Sequence, residues 1–142
     1  MRNLAAITLV LLTVTSCGEN ILGPLNNKVF VLRTIDGASL PATVTSPLDL
    51  AWVVRADTIW FEDGTKWRRR SVQEREPGVG GDPLDVVDQG TVIRQNGLLI
   101  LDFECNDTGD CIGPDRLTEH ETHLEMQQTF RHHGQRLVFE PI

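Results

Sequence analysis

Apolar residues at every second position, interrupted by Asn-Gly and Asp-Gly pairs, constrain this chain more than any other feature. In the clearest stretch Leu124, Met126, Gln128 and Phe130 alternate with His123, Glu125, Gln127, Thr129 and Arg131, all polar. Successive side chains of a strand point to opposite faces, so such a run has one side for a core and one for water. Leu99, Leu101 and Phe103 repeat the spacing, as do Leu137 and Phe139, while Val29 to Leu32 is apolar on both faces and predicts deeper cover. From Lys28 onward no stretch has the three-and-four spacing of an amphipathic helix. The expected fold class is all-β.

The turn residues join these runs into hairpins. Asn96-Gly97 separates Gly90 to Arg94 from Leu98 to Phe103, and both residues tolerate the positive φ of a tight primed turn. Asp63-Gly64 links Thr58 to Phe61 with the strand starting at Thr65; Asp36-Gly37 ends the first strand; and Gly134, within His132 to Gln135, closes a last hairpin. With the less regular Leu48 to Arg55 added, the pattern predicts about seven or eight antiparallel strands, in a single up-and-down barrel or a sandwich.

Ahead of this body, Arg2 precedes an apolar or hydroxylated run from Leu4 to Val14, which fits a signal-peptide core of about 7 to 15 residues. The run is shorter than the roughly 20 residues a membrane-crossing helix needs. The sequence Val14-Thr15-Ser16-Cys17 resembles the lipobox of bacterial lipoproteins, which implies removal of residues 1–16 and acylation of Cys17. Residues 17–27 then read as the lipidated cysteine and a flexible tether, rich in Gly, Pro and Asn, and residues 28–142 as one domain. By resemblance to the lipoprotein sorting pattern, Gly18 after the cysteine implies the outer membrane where the cell has one. Lipidation leaves Cys105 and Cys111 as an even pair in an oxidising compartment, so a disulfide between them is expected, worth about 2 kcal/mol for so short a loop. The formal net charge is −7, one unit more negative once Arg2 is removed, and disfavours nucleic acid and anionic membrane surfaces as partners. The tie to a membrane is the N-terminal lipid.

Phe30-Val31-Leu32-Arg33-Thr34-Ile35-Asp36-Gly37-Ala38-Ser39-Leu40-Pro41 resembles the opening of small bacterial lipoproteins with a lipocalin-like β-barrel, in which a first strand runs into a (D/N)-G-x-x-L-P turn. Glu62-Asp63-Gly64-Thr65 and the segment from Gly90-Thr91 to Asn96-Gly97 stand where such chains place successive hairpins. The opening is also similar to the META-domain lipoproteins, whose internal Gly-Cys-Asn motif has no counterpart here. The lipocalin-like resemblance implies a barrel and a ligand cavity; it brings no catalytic residues and no cofactor.

Candidate binding residues come from the aromatics and one arginine. Trp52, Trp60 and Trp67 suit the lining of a cavity for a small apolar ligand, and equally the solid core of a small barrel. Lys66-Trp67-Arg68-Arg69-Arg70 reads as a strand face guarded by charge; if Trp67 turns inward so does Arg69, which could then meet an anionic ligand. No metal site is expected. His120-Glu121-Thr122-His123 is one residue short of the helical His-Glu-x-x-His motif, and on a strand the two histidines would point to opposite faces. Asn106, Asp107 and Asp110 lack the spacing of a calcium loop. Gly78-Val79-Gly80-Gly81-Asp82 lacks the Lys-Ser/Thr ending of a phosphate loop, and no Gly-x-Ser-x-Gly elbow occurs, so enzymatic activity is not expected. The expected function is a membrane-anchored module binding a small ligand; the alternative is a structural or protein-interaction component of the envelope with no ligand cavity.

Overall fold

Each predicted Asp-Gly or Asn-Gly pair makes a tight turn with both residues at positive φ: Asp36 and Gly37 (50° and 83°), Asp63 and Gly64 (52° and 74°), Asn96 and Gly97 (53° and 79°). This conformation matches the right-handed twist of the strands on either side and so sets their register. A computed structural model of the chain describes residues 21–45, 51–76, 81–105, 113–127 and 134–142. Its strands are β1 (Val29–Ile35), β2 (Ala38–Ser39), β3 (Ala42–Thr45), β4 (Ala51–Glu62), β5 (Lys66–Arg75), β6 (Leu84–Gln95), β7 (Leu98–Phe103), β8 (Asp115–Glu119), β9 (Leu124–Gln127) and β10 (Arg136–Pro141).

The strands form one antiparallel sheet in the order β2-β1-β10-β9-β8-β7-β6-β5-β4-β3, and a pairing of β1 with β4 closes it. The body is thus an eight-stranded up-and-down barrel of β1 and β4 to β10, with β2 and β3 as two extra strands on either side of the closure. Of the two architectures expected, the barrel is the one adopted. Closure removes the exposed sheet edge that an open β-structure would have to guard. Leu48 to Arg55 and Thr58 to Phe61, read separately from the sequence, belong to one continuous β4 apart from residues 46–50, which lie outside the described ones.

Inward rows follow the period-two pattern. Trp67, Arg69, Ser71 and Gln73 of β5 are buried and alternate with Lys66, Arg68, Arg70 and Val72, which are less covered. Phe30 and Leu32, Ile59 and Phe61, Leu99 and Leu101, Leu124 and Met126, and Leu137 and Phe139 supply much of the apolar core. Phe30 meets Phe61 edge to face at 5.8 Å, and Trp67 meets Phe103 in the same way at 4.9 Å. The Trp67 indole lies across Gly90, its register partner on β6, and its Nε1–H donates to the Asp102 carbonyl at 3.1 Å. A Cβ at Gly90 would stand 1.8 Å from that carbonyl oxygen and 3.0 Å from Nε1, so only glycine fits there.

The barrel has two unlike ends. The Asp63-Gly64, Asn96-Gly97 and His120–His123 turns lie at one of them, and residues 21–27 run across it. This segment, expected to belong to the tether, is docked. Gly23–Leu25 form a 3₁₀ turn, Leu22 and Leu25 are buried, and the Leu22 N–H donates to the Gly64 carbonyl at 3.0 Å. The Gly64 N–H donates to Asn26 Oδ1 at 2.7 Å, and Arg94 Nε donates to the Ile21 carbonyl at 2.7 Å. The reason for the difference is local chemistry: Leu22 and Leu25 offer two apolar side chains to an open barrel end, which a Gly, Pro and Asn count conceals. At the other end β4, β6, β8 and β10 begin.

Candidate functional site

Arg69 does turn inward with Trp67, and in the structure it is already engaged. Its Nε and Nη2 hold Asp57 of β4 bidentately, with Nε 2.9 Å from Oδ1, and its Nη1 donates to Asp115 of β8 at 3.2 Å. All three side chains are buried, with 4% exposure at most. The guanidinium thus spans the lumen, with Met126 Sδ 3.7 Å from Nη1 and the Phe139 ring centred 5.7 Å from Cζ. Burial works against the arginine's charge, but Asp57, by charge and hydrogen bond, together with Asp115 and Asp88 outweighs it, and the pKa of Arg69 is raised. Next along the same face, Gln73 Nε2 donates to Ser71 Oγ at 3.0 Å, again within the buried interior. The expectation that Arg69 would receive an anionic ligand is therefore revised: two carboxylates of the chain itself occupy it, and displacing them would leave buried charges unpaired.

The three tryptophans do not line one cavity. Trp67 is a core side chain with its N–H satisfied, as described above. Trp60 faces outward on β4, with the Arg68 guanidinium stacked over it at 5.1 Å. Trp52, half-buried near the opposite end of β4, packs on the core and carries Arg75 at 5.4 Å. Trp60 faces outward because Ile59 and Phe61 on either side of it point inward, whereas Trp52, beyond the register shift between Val54 and Ala56, lies in the inward row with Val54.

A concavity lies outside the lumen, at the seam. β1 and β4 pair only at Val29 with Trp60, Phe30 with Ile59 and Val31 with Thr58; beyond this β1 turns toward β2, and β4 pairs with β3 at Ala51 to Val54. The strands part around a cleft of about 520 Å³ whose walls include Thr34, Ser39, Leu40, Ala56 and Thr58, with Asp57 behind them. Arg33 and Arg55 stand on either side. Each is about half exposed and paired with a surface carboxylate, Arg33 with Glu140 at 3.2 Å and Arg55 with Glu74 at 2.7 Å. The Glu74 hydrogen bond and charge raise the pKa of Arg55, so its guanidinium is cationic across the physiological range. Sequence reasoning did not find this cleft, because it arises from where two strands stop pairing.

His120 and His123 also differ from expectation. β9 begins at Leu124, so residues 120–123 are a turn rather than a strand, and the two rings stack with centroids 4.4 Å apart on the same side. Cys17 and Cys111 lie outside the described residues, as do Asn106, Asp107 and Asp110 and residues 77–80 of the glycine-rich segment. Cys105 is the second residue after β7. Compared with protein-family models, curated proteins and solved structures, the chain matches none.

Proposed function

We propose that this chain is an exported, lipid-tethered binding module that holds a small anionic ligand in the cleft at the barrel seam. The observation that carries the reading is the cleft itself: about 520 Å³, inside the size range of small-molecule sites (about 300 to 1,000 Å³), flanked by two arginines whose ion pairs with Glu140 and Glu74 lie at the surface. Exposed ion pairs contribute little, so a ligand carboxylate or phosphate can replace Glu140 and Glu74 at small cost. Arg69 cannot be released so cheaply, which moves the anionic-ligand idea from the lumen to the seam.

Acylation of Cys17 fits this arrangement. Four peptide units separate Cys17 from Ile21, a reach of at most about 15 Å at ~3.8 Å per unit. Ile21 is held against the apolar end of the barrel, so a lipid at Cys17 turns that end to the membrane and the seam cleft outward. A disulfide between Cys105 and Cys111 would in turn close the β7–β8 connection at the far end.

The test is ligand-observed NMR with a panel of small carboxylates and phosphates. Hits are expected to be lost in Ala56→Trp, which fills the cleft, and weakened in Arg33→Gln and Arg55→Gln, while Trp60→Phe leaves them unchanged. Hits indifferent to Ala56→Trp, or none at all, sink the reading. The side chains that the described part of the barrel buries, with Val87 and Ile93 exposed on β6, would then favour the second one, a solid barrel that meets a protein partner on its outer face.

A further inference from the structure

The β8–β9 turn gathers the most coordinating chemistry outside the seam. The His120 N–H donates to the His123 carbonyl at 2.9 Å, which closes the turn and puts the two imidazoles face to face, 14° from parallel. Glu125, the second residue of β9, approaches from below, its Oε2 3.9 Å from His120 Nε2. One ligand atom from each of the three residues lies within 4.8 Å of the others.

The surroundings hold these groups in place. Gln127 Nε2 donates to Glu125 Oε1 at 2.8 Å, Arg136 Nε donates to Glu125 Oε2 at 2.8 Å, and Thr122 Oγ1 lies 3.2 Å from His123 Nδ1. A depression of about 190 Å³ opens beside the histidines, with Lys28, Glu119 and Glu121 also on its walls. Two imidazoles and one carboxylate are a donor set that suits a borderline divalent ion, with a fourth position left to water. The hydrogen bond from Gln127 to Oε1, the carboxylate's other oxygen, is the outer contact that orients Glu125 for such an ion.

We propose that His120, His123 and Glu125 form a binding site for one divalent transition-metal ion of the zinc type, independent of the seam cleft. The ion takes one nitrogen from each imidazole and one oxygen of Glu125, once side-chain rotation unstacks the two rings so that their in-plane lone pairs converge and the atoms now within 4.8 Å reach ligand spacing. Arg136 competes with the ion for Glu125 and so sets the affinity below what the ligands alone would give.

Calorimetric titration of zinc chloride into the untagged full chain in detergent tests this. One ion per chain is expected, with affinity lower by at least about tenfold in His120→Gln and in His123→Gln, a loss of the size seen when zinc ligands are disturbed. Arg136→Gln is expected to bind more tightly than the wild type, and His132→Gln with His133→Gln to bind equally well. His120, His123 and Arg136 are exposed or half-exposed, and an unchanged thermal midpoint checks that every variant folds. Smaller losses in either ligand variant, unaltered or weaker binding in Arg136→Gln, or equal loss in the His132 and His133 variants would overturn the site.

Discussion

At the end of the barrel crossed by residues 21–27, the inward side chains are Phe30, Phe61, Trp67, Leu99, Leu117 and Leu124; toward the other end Asp57, Arg69, Ser71, Gln73 and Asp115 enter the same rows, with Ile35, Val44 and Val54 around them. Both sets of side chains are buried, but they respond differently to change. Apolar packing loses stability in proportion to the volume removed, whereas a buried charge network is either complete or badly incomplete. The apolar end can therefore vary by small steps, and the polar end can vary only as a set.

The largest effect expected is at Arg69. Arg69→Met leaves Asp57 and Asp115 buried without their cation and should cost about 3 to 5 kcal/mol in denaturant unfolding, whereas Arg69→Met combined with Asp57→Leu and Asp115→Leu should recover most of that. Equal losses in the single and triple variants would break the contrast between the ends. Gly90→Ala comes next, at about 3 kcal/mol, because its new methyl meets backbone and pushes on the Trp67 indole. A smaller loss, about 2 kcal/mol, is expected for Leu22→Ala at the closed end. It should appear also as faster amide exchange at Gly64, whose carbonyl accepts from Leu22 and whose N–H donates to Asn26.

How much of this was legible in the sequence follows the same division. Strands whose inward rows are apolar, such as β7, β9 and β10, announce themselves by alternation, and the primed turns fix the register between neighbours. β8 does not, because one of its two fully buried positions is Asp115, which leaves Leu117 as its single buried apolar residue. Asp57 was within reach: extending the inward parity of Phe61 and Ile59 back by one step lands on it. Its contact with Arg69 was within reach too, since the Asp63-Gly64 hairpin makes β4 and β5 neighbours and Arg69 stands opposite Ile59; that Asp115 would join them was not, because β8 lies three strands from β5 and only the curling of the sheet into a barrel brings it across the lumen. The docking of Leu22 and Leu25 was obscured by the glycine, proline and asparagines around them, and the stacked histidines by treating a turn as a strand.

The smallest predicted effect concerns the water-facing side of the polar end. Arg70 holds Asp85 at 2.6 Å on the outer surface, and this hydrogen bond, outweighing some desolvation, lowers the pKa of Asp85. A depressed carboxylate contributes stability above its unfolded pKa, near 3.9, and loses it as pH falls through the folded value. Asp85→Asn should thus shift the unfolding midpoint slightly near neutrality, and the shift should vanish in acid. A shift there as large as that of Arg69→Met would remove the distinction between buried and exposed pairs.

The claim on which the rest depends is that Arg69 lies inside the barrel, locked by Asp57 and Asp115. Solution NMR of the arginine side chains measures this through the exchange of the Nε–H proton with water. Arg69 is expected to exchange orders of magnitude more slowly than Arg33 and Arg68, which are about half exposed. An Arg69 proton that exchanges as fast as theirs would contradict the account.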